Sequence, residues 1–156
     1  MSVQFECRTP IAASVEAVFD LALDIDVHVR SQARARERAI AGVTSGRIAL
    51  GEQVTWRATH FGVPFTMTSK ITELQRPHRF VDEQVRGPFA RFRHEHRFEP
   101  IDAGTVMIDW IEFAAPLGPV GRVVERLALV RYLRTLIERR GAFVKREAEG
   151  ASNHGE

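Results

Sequence analysis

The chain has 156 residues, 44% hydrophobic and 27% charged, with a formal net charge of +2, and is long enough to bury a core without disulfides or metal staples. Cys7 is the only cysteine, which excludes a disulfide framework and points to a reducing compartment. No apolar run reaches transmembrane length and the N-terminus lacks a basic stretch followed by an apolar one, so a cytoplasmic protein is expected.

Residues 2–7 alternate, with Val3, Phe5 and Cys7 set against Gln4 and Glu6, and predict an opening strand that Thr9-Pro10 ends. Ser14 is placed to cap a helix whose inner face carries Val15, Val18, Phe19 and Ala22. A second short helix is predicted from 26 to about 34, with His28 and Ser31 one turn apart. Gly42 and Gly46 punctuate the segment that follows. Over 51–61, Val54, Trp56, Ala58 and His60 alternate with Gln53, Thr55, Arg57 and Thr59, a strand pattern. Gly62-Val63-Pro64 then turns the chain into a partner strand carrying Phe65, Met67, Ser69 and Ile71. After a turn at Arg76-Pro77-His78, the strand over 80–86 offers two competing inner sets, Phe80/Asp82/Gln84 and Val81/Glu83/Val85.

Gly87-Pro88 leads into the most informative stretch. From 91 to 99 the alternation is unbroken: Arg91, Arg93, Glu95, Arg97 and Glu99 share one face, and Phe92, His94, His96 and Phe98 the other. Two imidazoles stand where a plain core strand carries Val or Ile. A buried polar group is costly unless hydrogen-bonded, so this strand predicts a partly polar interior, either a bonded network or a cavity holding a ligand.

Asp102-Ala103-Gly104 turns into a further strand over 105–114, and Pro116-Leu117-Gly118-Pro119 ends the sheet. Val120, Val123, Val124, Leu127, Val130, Leu133, Leu136, Ile137 and Val144 then trace the stripe of a long amphipathic helix reaching about Glu147. Gly141 interrupts it at about 1 kcal/mol relative to alanine. Residues 150–156, including His154, read as a frayed polar tail, so one domain is expected over 1–149. The predicted class is α+β: a strand, two short helices, five or six antiparallel strands and a long C-terminal helix. The helix covers the apolar face of a curved antiparallel sheet and leaves a space between them.

The order of elements resembles the helix-grip (SRPBCC) superfamily of START domains, the birch-pollen allergen, and the polyketide cyclase/dehydrase and coenzyme Q-binding proteins. The resemblance spans about residues 5–145 and is closest to the bacterial ligand-binding branch. The residues that carry it are Asp26-x-His28-x-x-Ser31, Gly51-x-x-Val54-Thr55-Trp56, Phe80-Val81-Asp82-x-Gln84, Gly87-Pro88-Phe89, His94-x-His96-x-Phe98 and Thr105-x-x-x-Asp109 with Pro116. It implies a helix-grip fold and a hydrophobic cavity for a lipid, quinone or polycyclic, polyketide-like molecule. It implies no cofactor.

Given that fold, a symmetric hairpin at 87–89 sets Gln84 opposite Phe92, Asp82 opposite His94 and Phe80 opposite His96, with Asp82 and His94 close enough to bond. The resemblance favours Met107, Asp109, Ile111 and Phe113 as the inner set of the next strand, which brings Asp109 beside His96; a one-residue slip would reverse every side chain. The ligand-binding candidates are then Asp82, Gln84, His94, His96 and Asp109 as polar groups, Trp56, Phe92 and Phe98 as walls, and His28 and Ser31 at the mouth. Three roles compete for the polar set: a structural network, an anchor for a ligand, or carboxylate-held acid/base chemistry of the cyclase or dehydratase kind. No catalytic residue is assigned. His94-x-His96 with His60 or an aspartate could supply three metal ligands, but a lone His-x-His is weak and no metal is expected. The arginines, 20 against 2 lysines, cluster at Arg30, Arg34, Arg36 and Arg38 and again between 122 and 146. They read as solvated helix faces, so no nucleic acid is expected, with a membrane or protein contact as the lesser alternative and monomer or homodimer left open.

Overall fold

The computed structural model describes residues 2–115 and 122–153, without the side chains of 122–125. Seven antiparallel strands form one sheet in the order β1-β7-β6-β5-β4-β3-β2. They are β1 (Val3–Ile11), β2 (Arg38–Gly42), β3 (Gln53–His60), β4 (Val63–Gln75), β5 (Arg79–Arg86), β6 (Arg91–Ile101) and β7 (Gly104–Ala114). Helices α1 (Val15–Leu23) and α2 (Ile25–Ser31) separate β1 from β2, and the long helix α3 (Arg122–Ser152) follows β7. This is the helix-grip arrangement that the sequence predicts. Among the described residues no helix is long and apolar enough to cross a membrane.

The helix starts obey local rules. Ser14 Oγ accepts from Ala17 N at 3.2 Å to cap α1, and Asp24 Oδ1 accepts from Val27 N at 3.0 Å to cap α2. The strand ends depart from expectation in instructive ways. β1 runs through Pro10 to Ile11, because β1 is an edge strand and a missing N–H there can face away from β7. β4 begins at Val63, with Pro64 inside the strand; the turn is the two residues Phe61 and Gly62, both with positive φ (53° and 73°), as a two-residue hairpin of the primed kind requires. Pairing to β5 begins only at Thr68, so Pro64 deprives no ladder of a donor. β2 is an element the sequence pattern does not announce: its five residues are short, mostly exposed and paired only with β3. Helix α3 continues through Gly150 to Ser152 instead of fraying at 150. The predicted turn at 116–119, Val120 and His154 lie outside the described residues, as do the side chains of Val123 and Val124.

Two apolar clusters flank a polar belt. Phe19, Phe80, Phe98, Met107, Val144 and Ala148 belong to one; Phe5, Phe92, Ile111 and Phe113, with Leu133 and Ile137, belong to the other. Between them, β6 contributes His94 and His96, β7 contributes Asp109, and α3 contributes Arg140, all buried. Three successive elements thus switch from apolar to polar and back at the same level.

Gly141 has a packing reason that periodicity could not reveal. A Cβ there would lie 2.5 Å from Thr9 Oγ1, so α3 approaches β1 only because the side chain is missing. Gly141→Ala is therefore expected to destabilise by about 1 kcal/mol, overpacking outweighing the gain in helix propensity. In a Thr9→Ala background the same change should become stabilising. Urea unfolding of the four variants decides it, and a single Gly141→Ala variant more stable than the parent would refute the close approach.

Candidate functional site

A cavity of about 350 Å³ opens between the inner face of the sheet and helices α2 and α3. Its walls are apolar, with Trp56 and Met67 from the β3–β4 side, Phe89 from the hairpin before β6, Phe92 from β6 itself, and Leu133 and Ile137 from α3. It reaches the surface beside Phe61, which lines it while remaining 77% exposed and rests against the Tyr132 ring at 4.5 Å. Tyr132 also hydrogen-bonds His60 Nδ1. On the α2 side, His28 stacks on Trp56 at 4.3 Å and pairs with Glu37.

The polar belt meets the cavity at Asp82, His94, His96 and Arg140. The register is the symmetric one: Asp82 opposes His94, Phe80 opposes His96, and His96 opposes Asp109. The side chains, however, bond across the diagonal. His96 Nε2 donates to Asp82 Oδ2 at 2.8 Å, whereas His94 Nδ1 stays 4.0 Å from that oxygen; His94 Nε2 instead donates to Asp109 Oδ1 at 2.8 Å. The expected Asp82–His94 bond is therefore replaced by Asp82–His96, because the rings stack face to face (centroids 3.6 Å apart) and their edges reach past the nearest neighbour. His96 Nδ1 lies 3.1 Å from Asp109 Oδ1. Arg140 closes the belt, with Nη1 3.3 Å from Asp109 Oδ1 and Nη2 donating to the Ala22 carbonyl at 2.8 Å.

The electrostatics follow from burial and pairing. Burial, helped by the neighbouring His96, pushes the His94 imidazole down to about 4 against the pull of Asp109, so His94 is neutral at pH 7. Burial acts to raise Asp109, but hydrogen bonds from both imidazoles and the Arg140 charge overcome it and hold the carboxylate far below its usual range. Asp82 is likewise lowered, burial being outweighed by its bond from His96. With its hydrogen committed to Asp109, His94 keeps a lone pair on Nδ1.

Of the sequence candidates, Trp56, Asp82, Phe92, His94, His96 and His28 line the cavity. Four do not. Phe98 is packed in the core against Phe19 and Phe80. Asp109 stands behind the imidazoles. Gln84 turns its amide to the hairpin loop, donating to the Phe89 carbonyl at 2.8 Å and accepting from Phe89 N at 3.2 Å, so it positions Phe89 instead. Ser31 bonds the His28 carbonyl at 2.6 Å and ends the helix. Among the cavity residues that the sequence reading did not single out, Arg140, Tyr132 and Ser69 carry polar groups that matter to the site. Arg140 was grouped with solvated arginines, yet it is 3% exposed; the signal was its place on the apolar stripe between Ile137 and Val144. Tyr132 shares α3 with Leu129 and Leu133 and carried no distinguishing pattern. Ser69 is buried in the cavity wall with no hydrogen-bond partner for its hydroxyl. Its inner position on β4 was legible, but its orphaned oxygen was not.

Comparison with solved structures places the fold among known ones. The chain superimposes on the protein TTHA0849 from Thermus thermophilus with a TM-score of 0.76 at 18% identity, covering 97% of this chain and 99% of that one. The di-domain ARO/CYC StfQ from the steffimycin biosynthetic pathway matches with a TM-score of 0.76 at 18% identity, over 98% of this chain and 52% of that one. The Zhui aromatase/cyclase from a Streptomyces species matches at 0.71 and 16% identity, over 96% and 93%. No curated protein matches the chain. The family model for polyketide cyclase / dehydrase and lipid transport proteins matches residues 2–149, and the chain belongs to that family.

Proposed function

We propose that the protein binds a hydrophobic small molecule, a lipid, quinone or polycyclic polyketide-like compound, in the cavity between sheet and C-terminal helix. The observation that carries this reading is an apolar cavity of about 350 Å³ ending on a few convergent polar groups, the usual composition of a small-molecule site. Asp82 and His94 orient the polar end of the ligand, and Trp56, Phe89 and Phe92 enclose its body. Family membership supports the same class of ligand. Native mass spectrometry of protein purified gently from its own host tests it. A stoichiometric apolar compound is expected; an empty protein that also takes up no fatty acid, quinone or polycyclic phenol would overturn the proposal.

Ser69 supplies a sharper check. Its hydroxyl already lacks a partner, so Ser69→Ala should leave stability within about 0.5 kcal/mol of the parent, or raise it. If the hydroxyl bonds the ligand, the same change weakens binding about 5- to 10-fold. Loss of stability with unchanged affinity would exclude the role.

A second reading, a cyclase or dehydratase, draws on one specific feature: His94 is neutral, held by Asp109 and keeps a lone pair on Nδ1, the form a general base takes. Turnover of a polyketide-like substrate that disappears in His94→Gln while the fold survives would favour the enzyme over the carrier.

A further inference from the structure

One ligand atom from each of Asp82, His94 and His96 lies within 4.8 Å of the other two. Asp82 Oδ2 is 2.8 Å from His96 Nε2 and 4.0 Å from His94 Nδ1. A tetrahedral shell with bonds of about 2.0–2.1 Å needs ligand atoms about 3.4 Å apart. The two distances bracket that value, so a small swing of the Asp82 carboxylate from His96 toward His94 equalises them. The outer nitrogens face the kind of acceptor that metal-bound imidazoles use, although Arg140 Nη1 also approaches His96 Nδ1 at 3.4 Å. His94 Nε2 and His96 Nδ1 lie 2.8 and 3.1 Å from the same oxygen, Asp109 Oδ1, which Arg140 Nη1 approaches at 3.3 Å. His96 Nε2 donates to Asp82 as the site stands, so the ion takes the place of that hydrogen, which moves to Nδ1 beside Asp109; both inner nitrogens then present lone pairs, the one on His96 facing the Asp82 carboxylate. A cation between them stabilises that juxtaposition.

We propose that Asp82, His94 and His96 form a binding site for a divalent transition-metal ion of the borderline class to which zinc belongs, with Asp109 as the shared outer carboxylate. Two imidazoles and one carboxylate suit zinc, cobalt or iron(II) better than magnesium or calcium, which favour all-oxygen shells. The three ligands line the cavity, so the remaining coordination positions face the space where a small molecule sits. The proposal deepens the cavity reading by giving a ligand oxygen an ion to coordinate, yet ion binding does not require the organic ligand, and the two fail separately. The His94-x-His96 spacing alone did not carry a metal; the register that sets Asp82 and Asp109 beside the imidazoles was legible, but the single oxygen that both outer nitrogens face was not.

The test uses the full chain, stripped with a chelator and titrated with Zn²⁺ by calorimetry and with Co²⁺ by visible absorbance. One ion per chain at about micromolar affinity or tighter is expected. Asp82→Asn and His94→Gln should each weaken it at least about tenfold, and Asp109→Asn about 10- to 100-fold. His78→Gln, in an exposed turn, should leave it unchanged. Circular dichroism checks each fold. If His94→Gln does not fold, Asp82→Asn still decides, since Asp82 meets the cavity and its side chain is 20% exposed. No stoichiometric ion, or an affinity untouched by Asp82→Asn, would mean that protons alone fill the gap and would overturn the site.

Discussion

Asp109→Ala is expected to remove about 3–5 kcal/mol of stability, more than any other single change considered for the belt. Asp109 is completely buried, and its Oδ1 gathers His94 Nε2, His96 Nδ1 and Arg140 Nη1 within 3.3 Å. Removing the carboxylate leaves a guanidinium in the interior with only neutral partners, the Ala22 carbonyl and His96 Nδ1 at 3.4 Å, and deprives His94 of its acceptor. An unpaired buried charge is much costlier than a missing apolar contact. The same reasoning predicts coupling. Arg140→Met alone strands Asp109, whereas Arg140→Met combined with Asp109→Ala removes both charges, so the double variant should be at least about 1 kcal/mol more stable than the sum of the singles implies. Urea unfolding measures all three. Strictly additive losses would mean that the two groups do not stabilise one another.

The belt also marks the limit of what the sequence discloses. Strand alternation announced that His94 and His96 point inward, the symmetric hairpin correctly set Asp82 against His94, and the family resemblance correctly set Asp109 beside His96. Backbone register is a one-dimensional property, and turns and periodicity constrain it. Which oxygen each imidazole reaches is not. That choice depends on ring rotation and on the guanidinium arriving from α3, 31 residues beyond Asp109, so the bonds cross the register. Arg140 itself was partly legible: an arginine on the apolar stripe of an amphipathic helix contradicts its neighbours, and such contradictions mark buried polar sites. Gly141 was misleading for the opposite reason. Helix propensity sees an exposed cost, whereas the residue answers to Thr9, on a strand at the other end of the chain. Phe98 and Gln84 lie in correctly predicted strands but serve the core and a loop, because an inward-facing residue meets the cavity only where the helices leave the sheet uncovered.

The second large effect is a pH dependence whose sign the belt determines. His94 is pushed down to about 4 in the folded protein, chiefly by burial, from an ordinary value of 6.5. Between those values the unfolded chain binds a proton at this site and the native protein does not, so stability must fall as pH is lowered from about 6.5 to about 4. The full shift corresponds to roughly 3 kcal/mol. The groups facing His94 do not reverse this. Asp82 and Asp109 are held below their usual range, so their contributions are present above the unfolded carboxylate value and are lost only in stronger acid. Arg140 faces the belt from α3, and His96 stacks on His94 from the same strand. His60, lowered by burial at the mouth, adds a slope of the same sign. Chelator-treated protein and its His94→Gln variant, unfolded in urea at pH 7, 6, 5 and 4, separate these terms. The free-energy gap between them should be largest at pH 7 and close by roughly 3 kcal/mol toward pH 4, because the parent loses what the variant never had. Parallel pH profiles would show that His94 takes up its proton as readily in the native protein as in the unfolded chain, and the belt would then not be holding it neutral.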